Sequence, residues 1–171
     1  MTDGYLGKYR GVVVDNVDPL QTGRLLVEVA DVSMTLNLPL TWALPCFPFA
    51  GAQSGFYAIP AKQSQVWIEF EQGNTDYPIW VGCFWGSAAE VPDLALAGDP
   101  ALQQIVIQTT NQNTLLISDV PGPTGGIMLQ SSSGAVISVS DAGITISNGQ
   151  GAEITLTGPA VTVNDGALEV I

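Results

Sequence analysis

From residue 105 onward the chain repeats one short unit, apolar–x–apolar. The units are Ile105/Ile107, Leu115/Ile117, Ile127/Leu129, Ile137/Val139, Ile144/Ile146, Ile154/Leu156, Val161/Val163 and Leu168/Val170. Steps between successive units are 10, 12, 10, 7, 10, 7 and 7 residues. Alternation of period two predicts a strand with one apolar face. Turn residues stand between the units at Gly134, Asp141 to Gly143, Asn148-Gly149, Gly158-Pro159 and Asp165-Gly166, so each strand is expected to be about five residues long. A repeat this short builds by stacking, with a core continuous along an axis.

A single chain fits that pattern badly. A one-chain β-helix uses on the order of 20 residues per coil, so residues 105–171 would make about three coils. Two aliphatic side chains per unit would then have to fill a hollow with no aromatic to help. Three chains around a narrow threefold axis fill the same centre with Ile, Val and Leu alone. The expected structure is therefore an intertwined trimeric β-helix, a needle, in which each chain supplies one strand per level and backbone groups pair between chains. Its trimer core is expected at Ile137, Val139, Ile144, Ile146, Ile154, Leu156, Val161, Val163, Leu168 and Val170. The positions between them carry mostly Ser, Thr and a few acids, which suits a smooth polar exterior.

The first half has a different grammar. All thirteen aromatic residues (four Trp, four Tyr, five Phe) occur by Trp85. KYRGVVVDNV and RLLVEVADV flank the turn residues of VDPLQTG, and TWALPCFPF, GFYAI, VWIEFEQ and IWVGCFW follow, the last two as a hairpin across GNTDYP. Five or six short strands with no helical period predict a small closed barrel of the OB type. The whole chain is thus expected to be all-β: an OB-fold domain over 1–86, a connector over 87–104 with a short helical turn, and the trimeric needle over 105–171.

Charge narrows the function. The net charge is −12, there is no histidine, and all four cations (Lys8, Arg10, Arg24, Lys62) lie in the first 62 positions. Nucleic acid and anionic bilayers are poor ligands for such a chain. The barrel aromatics are accordingly assigned to core and subunit contacts rather than to base stacking. The missing histidines remove the commonest general base and metal ligand. Glu69 and Glu71, two apart on one strand face, read as a solvated surface rather than a carboxylate pair for hydrolysis. No catalytic, metal or cofactor residue is expected. Cys46 and Cys83 are expected as buried thiols, with a disulfide as the alternative. DPLQTGR reads as a plain hairpin connection rather than a ligand loop, and Arg24 and Lys62 as isolated surface cations. No apolar run approaches the ~20 residues of a membrane span, and MTDGYLGKYRG lacks the core of a secretory signal.

YRGVVVDNVDPLQTGRLLVEV, WALPCFPFAG and VWIEFEQGNTDYPIWVGCFWG together resemble the OB domain of phage baseplate assembly protein V. Those proteins are central spikes of contractile tails. The VgrG spikes of type VI secretion and the short spikes of extracellular contractile injection systems are their relatives. The resemblance implies a structural homotrimer beneath the tail tube, joined to a baseplate hub at its OB end, whose needle leads into the target envelope when the sheath contracts. It implies assembly in the producing bacterium's cytoplasm, action outside it, and only mechanical contact with the target membrane. The connector is too short for the lysozyme domain of some phage relatives, and the absence of histidine rules out the metal-binding tip of others. Residues Gly166, Ala167, Leu168, Glu169, Val170 and Ile171 are instead expected to dock a conical PAAR-type tip protein. A receptor- or carbohydrate-binding fibre tip is the alternative; it would call for exposed aromatics on the needle.

Overall fold

In the computed structural model, residues 4–32, 41–165 and 167–170 are described, residues 169 and 170 by their backbone alone. The chain divides into two compact units, Met1–Ala88 and Ala89–Ile171.

The first unit contains β1 (Tyr9–Asp15), β2 (Leu25–Glu28), β3 (Thr41–Pro45), β4 (Ala50–Gly51), β5 (Ser54–Gly55), β6 (Gln65–Phe70) and β7 (Pro78–Phe84). Five of these close a barrel in the order β1-β2-β3-β7-β6, as an OB fold requires. All its neighbours are antiparallel except β3 and β7, which run parallel. In β6 the alternation is plain: Val66, Ile68 and Phe70 are buried, while Gln65, Trp67 and Glu69 are only partly so. Val13, Leu25, Val27, Ala43 and Trp80 complete the barrel core with them. Buried Trp80 donates its indole N–H to the Gly23 carbonyl at 3.1 Å and meets Phe47 edge-on at 5.3 Å.

The strand expected at GFYAI is cut short. β4 and β5 form a separate two-stranded hairpin, and pairing stops after Gly55, where the Phe56 N–H donates to the Phe49 carbonyl at 3.1 Å. Ile59 then packs against the barrel core instead of extending a strand.

The connector holds a 3₁₀ turn (Ala88–Glu90) and, in the second unit, one short α-helix, α1 (Asp93–Leu96). Eight strands follow: β8 (Gln104–Gln108), β9 (Thr114–Ser118), β10 (Gly126–Gln130), β11 (Val136–Ser140), β12 (Gly143–Ser147), β13 (Glu153–Thr157), β14 (Ala160–Val163) and β15 (Leu168–Val170). Every apolar–x–apolar unit falls on a strand of its own. The strands form one sheet in strict chain order, each antiparallel to the next.

That order corrects one expectation. The ladder was expected between chains, one strand per level; it runs within the chain. Both edges of β9 through β14 are already hydrogen-bonded to strands of the same chain. The loops explain the preference, because connections of two to seven residues return the chain directly beside the strand it has left. Side-chain bonds then fix them: Asn148 Oδ1 accepts from the N–H groups of Gln150 and Ala152 at 2.8 and 3.0 Å. Asn164 Oδ1 accepts from the Glu153 N–H at 3.0 Å. At Gly143 the backbone has φ +134°, and an added Cβ would stand 2.1 Å from the Leu156 carbonyl oxygen, so only glycine lets β12 enter this close to β13.

Candidate functional site

The in-chain register gathers the repeat onto one face. Ile105 pairs with Ile117, Ile117 with Ile127, Ile127 with Val139, Val139 with Ile144, Ile144 with Leu156 and Leu156 with Val161. A second column runs Ile107, Leu115, Leu129, Ile137, Ile146, Ile154, Val163 and Leu168. The two columns make an uninterrupted aliphatic surface along the whole sheet. In one chain it faces solvent: Ile146 is 45% exposed and Leu129 49%, while Leu115, Val161 and Val163 are partly buried.

The opposite face explains itself by what covers it. Its central column reads Val106, Leu116, Met128, Ser138, Thr145, Thr155 and Thr162. The connector lies at the apolar end of this column. α1 packs on β8, and Gln104 donates its side-chain amide to the Ala97 carbonyl. Thr114, Leu116 and Ser118 are buried there. Beyond the connector the column turns to hydroxyls, and Thr155 and Thr162 hydrogen-bond to each other. A sheet with one face covered or hydroxylated and the other bare and aliphatic is built to associate through the bare face.

Of the residues expected to form the trimer core, Ile137, Val139, Ile144, Ile146, Ile154, Leu156, Val161, Val163 and Leu168 all lie on this surface. The backbone of Val170 pairs with Val161 in β15; its side chain lies outside the described residues. Of the residues expected at the tip, Ala167 and Leu168 are exposed beside and within β15. Gly166, Ile171 and the side chain of Glu169 lie outside the described residues.

The barrel unit changes several expectations. Arg24 is no isolated cation: its Nε and Nη2 donate to Asp18 Oδ1 at 2.9 and 2.6 Å. Asp18 Oδ2 accepts from the backbone N–H groups of Thr22 and Arg24 and from the Thr22 hydroxyl, and Oδ1 also accepts from the Leu20 N–H. One buried carboxylate therefore ties the whole DPLQTGR turn together. The Arg24 bonds first, and then these backbone donors, hold its pKa far below the usual carboxylate range. The spacing Asp-x-x-x-Thr-Gly-Arg carries the signal, but a turn reading of Asp, Pro and Gly hides it. Lys62 pairs with Asp15 at 3.0 Å. Asp15 is also lowered, chiefly by the Val17 N–H and then by Lys62.

The paired Glu69 and Glu71 do not share a strand face. β6 ends at Phe70, Glu71 opens a 3₁₀ turn, and Lys8 bonds Glu69. Cys46 and Cys83 are unpaired and exposed, not buried. Partial desolvation nonetheless raises the Cys83 pKa. Among the described residues no group of three acidic or thiol side chains gathers in a way that could hold a metal ion.

Comparison with known families agrees with both halves of this geometry. Residues 9–85 match the type VI secretion system/phage-baseplate injector OB domain. Residues 104–169 match the phage baseplate V C-terminal trimerisation domain. The two matches cover the barrel and the whole bare-faced sheet. An OB barrel followed by a trimerisation sheet defines a baseplate spike of the injector class. The chain belongs to the phage baseplate V family. No curated protein matches it.

Proposed function

We propose that three copies of the chain join through the aliphatic sheet face to make the central spike of a contractile tail or injection-system baseplate. The spike is a rigid needle at the tip of the inner tube that pierces the target envelope when the sheath contracts. The observation that carries this reading is the unbroken two-column aliphatic surface, bare in one chain and lying within a trimerisation domain. Each chain supplies one wall of a three-sided prism rather than one strand per level, because the strand edges are used within the chain. Six aliphatic side chains then fill each level of the β-helical shaft.

Two features suit a piercing role. The strands lie across the shaft, so their hydrogen bonds run along it, in the direction of load. Its walls also narrow: β8 to β13 have five residues and β14 four. At ~3.4 Å per residue that takes a wall from about 17 Å to about 14 Å wide.

The reading is structural and not enzymatic, since the work is mechanical. Nucleic acid is not a ligand: Lys8, Arg24 and Lys62 are bonded to carboxylates, and Arg10 sits over the rings of Trp67 and Phe84. The particle assembles in the bacterial cytoplasm and acts outside it, with a hub protein at the OB end. β15 ends the sheet with one edge unpaired among the described residues, a template for association. A PAAR-type tip protein capping residues 166–171 would cover that edge.

Imaging of particles purified from the producing bacterium tests this reading. Threefold density for the chain at the distal end of the tube is expected, and its placement in the sheath or tail fibres would contradict it. Deleting residues 167–171 should release the cap from purified particles while the trimer survives. A cap retained by the shortened spike would exclude this docking site.

A further inference from the structure

Residues 32–61 form the longest run of this chain without a charged side chain. At the chain's average of 12% charged residues, about three or four would be expected there. Within the run, residues 41–61 include the β4–β5 hairpin and line most of a groove of about 630 Å³ beside it. Its lining includes Cys46, Phe47, Phe56 and Tyr57 and no ionisable group other than the Cys46 thiol and the Tyr57 hydroxyl. Phe47 is fixed between Tyr57 and Trp80 at ring distances of 5.8 and 5.3 Å. Around this anchored ring, Phe49 is 60% exposed and Tyr57 67%.

We propose that this charge-free aromatic surface is where the barrel units of neighbouring copies meet within the trimer. The proposal rests on the trimeric reading above and adds to it a second interface, on the other unit. Residues 1–86 carry eight acidic and four basic residues, so three barrels brought together by the needle repel one another through most of their surfaces. A face without charge can meet a neighbouring copy without that repulsion. Tethering through the needle raises the local barrel concentration to the millimolar range, so a small aromatic contact is enough to close. Phe and Tyr supply apolar contact area with little side-chain entropy to lose.

Cys46, exposed in this groove, reports on the contact directly. In the full chain carrying Cys83→Ser, alkylation of Cys46 should be at least tenfold slower in the trimer than in a full-chain variant kept monomeric by Ile146→Asp. The buried Trp80 verifies by fluorescence that the barrel of that variant is intact. Independently, Gln53→Cys, in a background with both native cysteines replaced by Ser, should give covalent dimers with a short bis-maleimide, two of the three chains being joined through their single thiols. A trimer in which Cys46 reacts as fast as in the monomer, and Gln53→Cys yields no cross-link, overturns the proposal. Shielding of Cys46 that appears only in assembled particles also overturns it, and assigns the groove to another baseplate protein. A monomeric wild-type chain would instead defeat the trimeric reading itself.

Discussion

Asp18 shows how much of the barrel one side chain can hold. Its two oxygens accept from Arg24, Thr22 and Leu20, and with them fix the turn that joins β1 to β2. Bonds to an ionised carboxylate are stronger than neutral ones, so Asp18→Asn should lower the barrel's melting midpoint by several degrees at neutral pH. The pH dependence has a definite sign. The folded pKa lies below the unfolded value of 3.8, so the stabilisation is complete above that value. It is lost as the pH falls from there toward the folded pKa. Wild-type stability should therefore drop more steeply than that of Asp18→Asn in acid titrations followed by tryptophan fluorescence. Parallel curves would mean that the carboxylate does not hold the turn.

Within the sheet, face decides the effect of a substitution. Ile146 and Thr145 are neighbours in β12 and point to opposite sides. Ile146→Asp leaves a solvated charge in one chain, but puts three carboxylates on one dry level of a trimer, at a cost of several kcal/mol. Trimer yield should collapse, while Thr145→Asp should leave it nearly unchanged; equal losses in gel filtration would refute the assignment of faces. Gly143→Ala should act differently, by driving a Cβ into the Leu156 carbonyl oxygen and loosening β12 from β13. Gly151→Ala meets no atom within 4 Å and carries only the left-handed backbone penalty, about 1–2 kcal/mol. Amide exchange across β12 and β13 should rise for Gly143→Ala and stay slow for Gly151→Ala.

At the same scale lies the limit of what the residues disclose. The eight units, their spacing and the aliphatic face were legible in the sequence, because period two and turn residues act locally. The partner of each strand was not. An apolar–x–apolar unit specifies which side is buried, and it is equally satisfied by a neighbour in the same chain or in another. Short loops settled the matter in favour of the same chain. The Asp18 bonds were hidden for a related reason, since a turn residue and a buried ionic acceptor look alike until Arg24 is seen folded back. Cys46 and Cys83 were misplaced because cysteine is so often buried that composition alone favours the interior.

At the scale of the whole molecule, the sheet is half of an interior. Covering half of an Ile or Leu side chain returns about 1 kcal/mol, and two aliphatic residues recur on each of eight strands. Solvent cannot be their stable surrounding, and the trimerisation domain states how many copies supply the rest. Sedimentation equilibrium of the full chain at micromolar concentration tests this most directly. The expected species has three times the 17.9 kDa chain mass, persists on dilution, and gives way to smaller species when Ile146→Asp is introduced. A wild-type chain that sediments as a folded monomer, with its aliphatic face open to water, would contradict the account.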